Sequence, residues 1–229
     1  MPPVLFTPDK VLKLIKQLKP KGSAGPDVIP AEFFKVTGGL IALPLSIIFN
    51  VSLQTGELPA IWKCTSITPA FKKGAASNPS NYRPISLTCI SCKLLECGIK
   101  ESVLSHLLYN NIISRHQHGF SNCKSTSTQL LECNLDGNIA LNMHNSLDII
   151  YLDYANAFDS VVHCKLLAKL ACYGINYMVI AWIKCFLSSR SQFVKVGHCS
   201  SLCDVLSGVD PGTSNALLRG VPLGNLQRR

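Results

Sequence analysis

Asp153 is the residue of this chain that is best placed to do chemistry. It directly follows the apolar run of residues 149–152 (I-I-Y-L), whose β-branched and aromatic content predicts a buried strand. A carboxylate that ends such a strand is expensive to bury without a partner, so Asp153 is expected to meet a metal, a base or an open cleft. Carboxylate oxygens suit Mg²⁺, which takes one or two such ligands together with substrate phosphates. The alternative is that Asp153 only caps the turn or helix after it.

Three cations flank one polar loop. Lys72 and Lys73 precede a segment rich in Ser, Asn, Pro and Gly, and Arg83 follows it. If this segment folds as a hairpin, the three cations converge. Arginine binds phosphate through a bidentate fork and lysine as a point charge, a combination that suits a triphosphate. The alternative is a solvated loop with scattered cations.

The charge of the chain is uneven. Lys and Arg number 22 against 13 Asp and Glu in 229 residues, a formal net charge of +9. Through Lys124 there are 14 basic and 6 acidic residues, a balance of +8, and the remainder has 8 and 7, a balance of +1. A basic half joined to a near-neutral half indicates a polyanionic partner for the first half, with a solvated basic surface as the alternative.

Composition excludes several classes of protein. A chain that is 47% hydrophobic and 15% charged is expected to fold, as one large domain or two small ones. The start lacks the pattern of a signal peptide, which predicts an intracellular protein, cytoplasmic or nuclear, that is not secreted. The most apolar window, residues 40–53, is interrupted by Pro44 and Asn50, so we expect a buried helix and no membrane partner.

The eleven cysteines indicate reduced thiols and no disulfide partner, because their number is odd and no export signal precedes them. Two clusters invite a zinc interpretation, but neither has a second pair at finger spacing. We therefore favour buried thiols over a metal site. The two clusters are Cys89, Cys92 and Cys97, and His198, Cys199 and Cys203.

The elements that would position these residues alternate between helix and strand, which predicts an α/β or α+β domain. Helical spacing or a starting cap marks six segments, beginning near residues 7, 40, 89, 125, 166 and 180. Strand patterns mark residues 66–71, 149–152 and 192–197. The run Q-H-G-F-S-N-C-K-S-T at residues 117–126 is a turn that leads into a helix start.

Six ordered runs resemble the reverse transcriptase of a non-LTR retrotransposon of the LINE or jockey type. Their order and spacing match over nearly the whole chain, which is far more specific than any single run. The runs are G-S-A-G-P-D-V-I-P-A-E at residues 22–32, N-Y-R-P-I-S-L at 81–87, Q-H-G-F at 117–120, Y-L-D-Y-A-N-A-F-D-S-V at 151–161, L-A-C-Y-G-I at 170–175 and L-S-S-R-S-Q-F-V-K-V at 187–196.

The resemblance implies an α+β right-hand polymerase fold, with fingers over residues 1–124 and a partial palm over 125–229. Asp153 then matches the first palm carboxylate, which holds the catalytic Mg²⁺ ions. Lys72 or Lys73, with Arg83, matches the cations that grip the nucleotide triphosphate. Phe158 matches the aromatic residue that closes on the sugar and excludes a 2′-hydroxyl. Implied partners are an RNA template, a DNA primer and a dNTP.

Departures from the family pattern put activity in doubt. Asp210 and Pro211 replace the Pro-Gln of a G-V-P-Q-G-S segment, Leu223 replaces the Gln of a second partial match, and Ser121 stands at a basic position. No Asp-Asp pair is present. We therefore expect a truncated copy that lacks the palm end and thumb and has no polymerase activity by itself. The alternatives are a fragment of a longer active polymerase, or a retained nucleic-acid-binding module.

Overall fold

The structure, a computed structural model, describes residues 1–20, 22–119, 121, 123–153, 161–196 and 199–205. Within these ranges it contains six α-helices and four strands. The helices are α1 (Pro8–Lys16), α2 (Ala31–Thr55), α3 (Ile90–Tyr109), α4 (Thr126–Asn142), α5 (His163–Cys172) and α6 (Tyr177–Leu187). The strands are β1 (Cys64–Phe71), β2 (Tyr82–Leu87), β3 (Arg190–Val196) and β4 (Cys199–Val205).

Two helices begin at the caps that the sequence predicts. Thr7 accepts a hydrogen bond from the Lys10 amide at 3.2 Å at the start of α1, and Pro8 occupies the first helical position. Ser125 and Thr128 form a reciprocal capping box at the start of α4. These predicted starts are confirmed because each depends on residues within one turn of the helix.

Helix α2 is longer than predicted. It continues through Pro44 and covers 25 residues, with Phe34 and Phe49 on its buried face. Asn50, which interrupts the apolar run, accepts from the Phe6 amide at 2.9 Å and donates to the Phe6 carbonyl at 2.8 Å. By length and composition alone α2 could cross a membrane, a test that core helices of soluble proteins also pass.

Helices α1, α2, α3, α5 and α6 enclose the hydrophobic core, whereas no residue of α4 is buried. Trp182 of α6 is fully buried and donates its indole N–H to the Ser52 hydroxyl of α2 at 3.0 Å. Phe6 packs edge-on against Phe49, with ring centroids 5.2 Å apart. The N-terminal segment is therefore part of the core.

The four strands form one sheet in the order β2-β1-β3-β4. β1 pairs antiparallel with β2 and parallel with β3, where Cys64 lies opposite Ser191. β3 and β4 are antiparallel. The sheet thus joins strands from both of the regions that the sequence separates at residue 124. A helical layer with one small mixed sheet fits the predicted α+β class.

The predicted buried strand at residues 149–152 is wrong. The segment has no regular structure, and Ile150, Tyr151 and Leu152 are 81%, 86% and 90% exposed. Apolar, β-branched content suits a strand, but a strand forms only where another strand offers its backbone groups. In the described part of the chain, the sheet is made from other segments.

Candidate nucleotide and nucleic-acid site

The segment between Lys73 and Arg83 folds as a hairpin, which is one of the two alternatives that the sequence leaves open. β1 and β2 pair in register, with Ala70 opposite Arg83 and Phe71 opposite Tyr82, and the Lys72 amide extends the ladder by donating to the Asn81 carbonyl at 2.8 Å. Gly74 adopts a φ of +94° where the chain turns, a conformation that side chains disfavour. The loop is further fixed by the Asn81 side-chain amide, which donates to the Ala75 carbonyl at 2.9 Å.

One face of this hairpin carries two of the three predicted cations. Opposite residues in an antiparallel pair share a face, and side chains two positions apart along a strand also do. Lys72, two positions beyond Ala70, therefore lies diagonally across from Arg83. The Cα atoms of such diagonal neighbours are roughly 7–8 Å apart. Both side chains are exposed, as is that of Lys73 in the bend that follows. The geometry gives phosphate oxygens open access to a lysine and an arginine side by side.

The other face of the hairpin carries an aromatic pair that the sequence analysis did not single out. The rings of Phe71 and Tyr82 lie with centroids 5.4 Å apart and planes inclined at 60°. Phe71 is 53% exposed, and Tyr82 donates its hydroxyl to the Ala76 carbonyl at 2.9 Å. The sequence contains a signal for this pair, because one aromatic residue directly precedes the two lysines and another directly precedes the arginine.

Asp153 is exposed and lies at the end of the irregular segment described above. An exposed carboxylate is solvated, so Asp153 does not carry the desolvation cost that is expected of a buried one. Phe158 and Asp159 lie outside the described residues. The structure thus places Lys72 and Arg83 on one face of the hairpin.

The Q-H-G-F run is attached to α4 by a hydrogen-bonded cluster. The Glu132 carboxylate meets His118 Nε2 at 2.5 Å through one oxygen and His116 Nδ1 at 2.8 Å through the other. His118 is nearly buried, and its Nδ1 lies 2.8 Å from the Thr128 hydroxyl. Hydrogen bonds from His118 and then His116 lower the pKa of Glu132 below its usual value. The cluster holds the turn at residues 116–119 against the first two turns of α4.

Gly25 explains why the glycine-containing run at residues 22–32 has its composition. A side-chain carbon added at Gly25 would lie 2.4 Å from the carbonyl carbon and oxygen of Thr88. Thr88 directly follows the N-Y-R-P-I-S-L run of residues 81–87. Only glycine permits two backbones to approach so closely. Gly25 therefore allows the run at residues 22–32 to lie against the residue that follows β2.

Arg190 connects the sheet to the helical layer. It is 5% exposed, donates to the Thr65 hydroxyl at 2.8 Å and to the Phe186 carbonyl at 3.3 Å, and stacks 4.4 Å from the centre of the Phe186 ring. These partners account for a guanidinium that would be costly to bury alone. The role of Arg190 is not predictable from the sequence around it, because Thr65 lies 125 positions away in the chain.

The three cysteines of the first zinc hypothesis lie at the start and in the first half of α3. Burial raises the pKa of the Cys89 thiol to about 12 and those of Cys92 and Cys97 above the usual range. Cys89 and Cys92 are buried and Cys97 is partly buried, and free cysteines in such surroundings pack as small hydrophobes. His198 of the second hypothesis lies outside the described residues.

Residues 71–222, about two thirds of the chain, match the sequence model of the family described as reverse transcriptase (RNA-dependent DNA polymerase). The chain belongs to the reverse transcriptase family. The matched segment begins at Phe71 and therefore contains the two lysines, the hairpin loop and Arg83. Reverse transcriptases use divalent metal ions and bind a template, a primer and dNTPs.

Curated relatives confirm the resemblance to non-LTR retrotransposons. The chain is 31% identical over 220 residues to the RNA-directed DNA polymerase from mobile element jockey of Drosophila melanogaster, and 28% identical over 208 residues to a probable RNA-directed DNA polymerase from transposon BS of the same species. These alignments cover 93% and 90% of this chain, but 23% of each relative. The chain therefore spans about a quarter of the length of the reverse transcriptases that it matches.

The described residues do not form a metal centre by themselves. Across residues 1–153 and 161–205, apart from the positions the structure leaves undescribed, no three His, Cys, Asp or Glu side chains are grouped so that they could hold a metal ion. Asp153 is an exposed carboxylate outside any such group. Two-metal catalysis needs several carboxylates to offset roughly four positive charges with the ions about 3.5–4 Å apart. No catalytic step through Mg²⁺ follows from these residues.

Proposed function

We propose that this chain is part of a reverse transcriptase core and that its hairpin binds the triphosphate of an incoming dNTP. Lys72 and Arg83 supply neighbouring positive charges, and Lys73 adds a third at the turn. The observation that carries the proposal is the shared, exposed face of Lys72 and Arg83 inside the segment that matches the family. Arginine in a bidentate contact and lysine as a point charge suit adjacent phosphate groups.

In the same proposal, Asp153 is a ligand of the metal that accompanies the triphosphate, and Phe158 lies against the sugar and excludes a 2′-hydroxyl. The template is RNA and the primer is DNA. These roles rest on the family to which the chain belongs and on the match of residues 151–161 to its Y-L-D-Y-A-N-A-F-D-S-V run.

Triphosphate binding is tested by titrating inorganic tripolyphosphate against the 229-residue chain at several salt concentrations. Replacing Lys72, Lys73 and Arg83 by Ala should remove most of the binding. The matched control replaces three exposed cations at α1 and just after it, Lys13, Lys16 and Lys19, and so removes the same net charge. Lys10 is not suitable as a control because its ammonium lies 4.7 Å from the Phe6 ring centre and is half-buried. Equal losses in the two triple variants would refute a specific phosphate site.

We further propose that these 229 residues alone do not catalyse primer extension. They contain no adjacent pair of aspartates to complement Asp153. The test is extension of a DNA primer on an RNA template with Mg²⁺ or Mn²⁺. Extension that exceeds the control without enzyme and disappears in Asp153→Ala would refute this proposal. The DNA beyond the Arg229 codon distinguishes a degenerate copy from part of a longer polymerase, because an F-A-D-D sequence in frame, or one frame away, indicates the latter.

A second candidate function is a nucleic-acid-binding module without catalysis. The observation that favours it is the absence of Asp and Glu from residues 58–95, a segment that carries five Lys and Arg. Binding through phosphate contacts predicts that log affinity falls linearly as log salt rises. Affinity for an oligonucleotide that is independent of salt would exclude this candidate.

A further inference from the structure

The outward face of α2 is an apolar stripe that stays exposed in the described part of the chain. Its side chains are large and apolar, and each is between 47% and 83% exposed. They recur at spacings of three or four residues, which places them along one side of the helix. The α2 stripe consists of Phe33, Val36, Leu40, Leu43, Ile47 and Val51.

The stripe points away from the core because the opposite side of α2 is already packed. Phe34 and Phe49 are buried on that side, and the Ser52 hydroxyl accepts the indole N–H of Trp182 at 3.0 Å. Rotation of α2 to bury the stripe would break these contacts. The stripe therefore stays exposed unless a surface from outside the described chain covers it.

The charges around the stripe favour a protein surface as its partner. No Lys or Arg occurs from residue 36 to residue 62, and Glu57 is the only charged residue of that segment. Nucleic acids and anionic membranes are both attracted by cations, which this segment does not offer. Large exposed apolar patches mark contacts with proteins or membranes, and the lack of cations leaves a protein surface.

The stripe is complementary to itself. Its positions are nearly symmetric about the middle of α2, so two antiparallel copies of the helix bring apolar side chains opposite apolar side chains. Alternating spacings of three and four residues are the pattern by which two helices pack side by side. A two-fold axis then makes every contact occur twice. The facing pairs are Leu40 with Leu43, Val36 with Ile47 and Phe33 with Val51.

The exposed area of the stripe is sufficient for a weak dimer. A large aliphatic or aromatic side chain carries on the order of 100–200 Å² of apolar surface. At the exposed fractions given above, the stripe offers roughly 500 Å² per copy. Two copies would bury roughly 1,000 Å² in total, which is the lower limit for a specific interface.

We propose that the α2 stripe is the interface of a homodimer, in which two copies of α2 pack antiparallel about a two-fold axis. The occupant of the stripe is thus a second copy of the same stripe. Because the buried area is small, the dimer dissociates at concentrations on the order of micromolar. The inference is independent of phosphate binding by the hairpin.

Sedimentation equilibrium of the full 229-residue chain, from about 1 to 100 µM, tests the interface. The wild type should show a monomer–dimer equilibrium. Leu40→Glu with Leu43→Glu should weaken dimerisation about 100-fold or more, because it places like charges opposite each other across the axis. Should that variant fail to fold, Leu40→Ala with Leu43→Ala keeps helix propensity and should still weaken dimerisation severalfold.

The matched control makes the same change on another exposed helix. Leu131→Glu with Leu135→Glu alters two side chains of α4 that are 67% and 60% exposed, and it should leave dimerisation unchanged. Equal losses from the α2 and α4 variants would show that general stickiness drives association, and they would overturn the inference. Dimerisation that survives both α2 variants in folded protein would also overturn it.

The antiparallel orientation has a test of its own. Val36→Lys with Ile47→Glu, in one chain, brings opposite charges together in an antiparallel pair and like charges together in a parallel pair. This variant should therefore dimerise more tightly than Val36→Glu with Ile47→Glu, which brings like charges together in both arrangements. Equal dissociation of the two variants would refute the antiparallel pairing.

Other occupants of the stripe predict different results. A wild type that stays monomeric up to about 100 µM would overturn the inference. Flotation of a monomeric wild type with vesicles of phosphatidylcholine and phosphatidylserine, abolished by Leu40→Glu with Leu43→Glu, would assign the stripe to a membrane surface and overturn it as well.

Discussion

The guanidinium of Arg190 donates to the Thr65 hydroxyl at 2.8 Å across 125 positions of sequence. This bond ties the first residue of β3 to β1, while the same side chain stacks on Phe186 of α6. One buried cation thus fixes the position of the hairpin strand relative to the helical layer.

Arg190→Lys should therefore destabilise the fold. The ammonium of lysine cannot reach both acceptors as the planar fork does and does not stack on a ring in the same way. We expect a loss of about 2–3 kcal/mol in the free energy of unfolding by urea, since a hydrogen bond to a charged group contributes about 1.5–3 kcal/mol. The control Arg115→Lys, at an exposed position, should change it by less than about 0.5 kcal/mol. The double variant with Thr65→Val should lose less stability than the sum of the two single losses, because both substitutions remove the same hydrogen bond. A loss equal to that sum would show that the two residues are not coupled.

Gly25→Ala and Gly39→Ala should have opposite effects. The first places a methyl group 2.4 Å from the Thr88 carbonyl, which should cost about 1–3 kcal/mol of stability by overpacking. The second adds a methyl group within α2, where no atom lies within 4 Å, and should stabilise the protein by about 0.5–1 kcal/mol. Thermal unfolding of both variants measures the difference. Stabilisation by Gly25→Ala would show that the two backbones do not approach each other as described.

Val28→Gly should stabilise the protein. Val28 has a φ of +59°, a left-handed conformation that is strained for a β-branched residue. We expect a gain of about 1 kcal/mol after allowing for the greater freedom of glycine in the unfolded chain. Val36→Gly is the matched control, because Val36 is similarly exposed (80% against 78%) but helical, and its replacement should cost about 1 kcal/mol. Equal destabilisation by the two substitutions would contradict strain at Val28.

The His118–Glu132 cluster should make stability depend on pH in the acid range. Its hydrogen bonds lower the pKa of Glu132 in the folded state, so ionised Glu132 stabilises the fold above its unfolded-state pKa. That contribution is lost as the pH falls through the lowered folded-state pKa. Urea unfolding at a series of pH values should show a decline that Glu132→Gln reduces. Asp136→Asn, at an exposed position of the same helix, should leave the decline in place, and an identical decline in all three proteins would exclude the cluster.

Local chemistry made part of this structure predictable. Thr7 with Pro8, and Ser125, determine helix starts through side chains within one turn, and the polar segment between Lys73 and Arg83 determines a hairpin. Helix α2 extends beyond the predicted residues 40–53, because a helix that is apolar on nearly all sides shows no clear period and because Pro44 lies within the helix without ending it.

Other features depend on partners far away in the chain. Residues 149–152 have the composition of a buried strand, but composition does not say whether a neighbouring strand is available. The burial of Arg190 depends on Thr65, and the need for Gly25 depends on Thr88; neither partner is close in sequence. Of the candidate site, the sequence predicted the cations of the hairpin but not the aromatic pair on its reverse face, because the contact of Phe71 with Tyr82 depends on the register of the two strands.

The parallel pairing of β1 with β3 determines when the sheet can fold during synthesis of the chain. Cys64 pairs with Ser191, so the central ladder of the sheet joins segments that the ribosome synthesises far apart in time. Contacts of such long sequence separation slow folding, because the chain loses the entropy of closing a large loop before these contacts can stabilise it. While translation proceeds, the hairpin has an open edge where β3 will later bind, and an open edge invites aggregation. The edge of β1 is therefore covered only after the segment from Arg190 to Val196 has emerged from the ribosome.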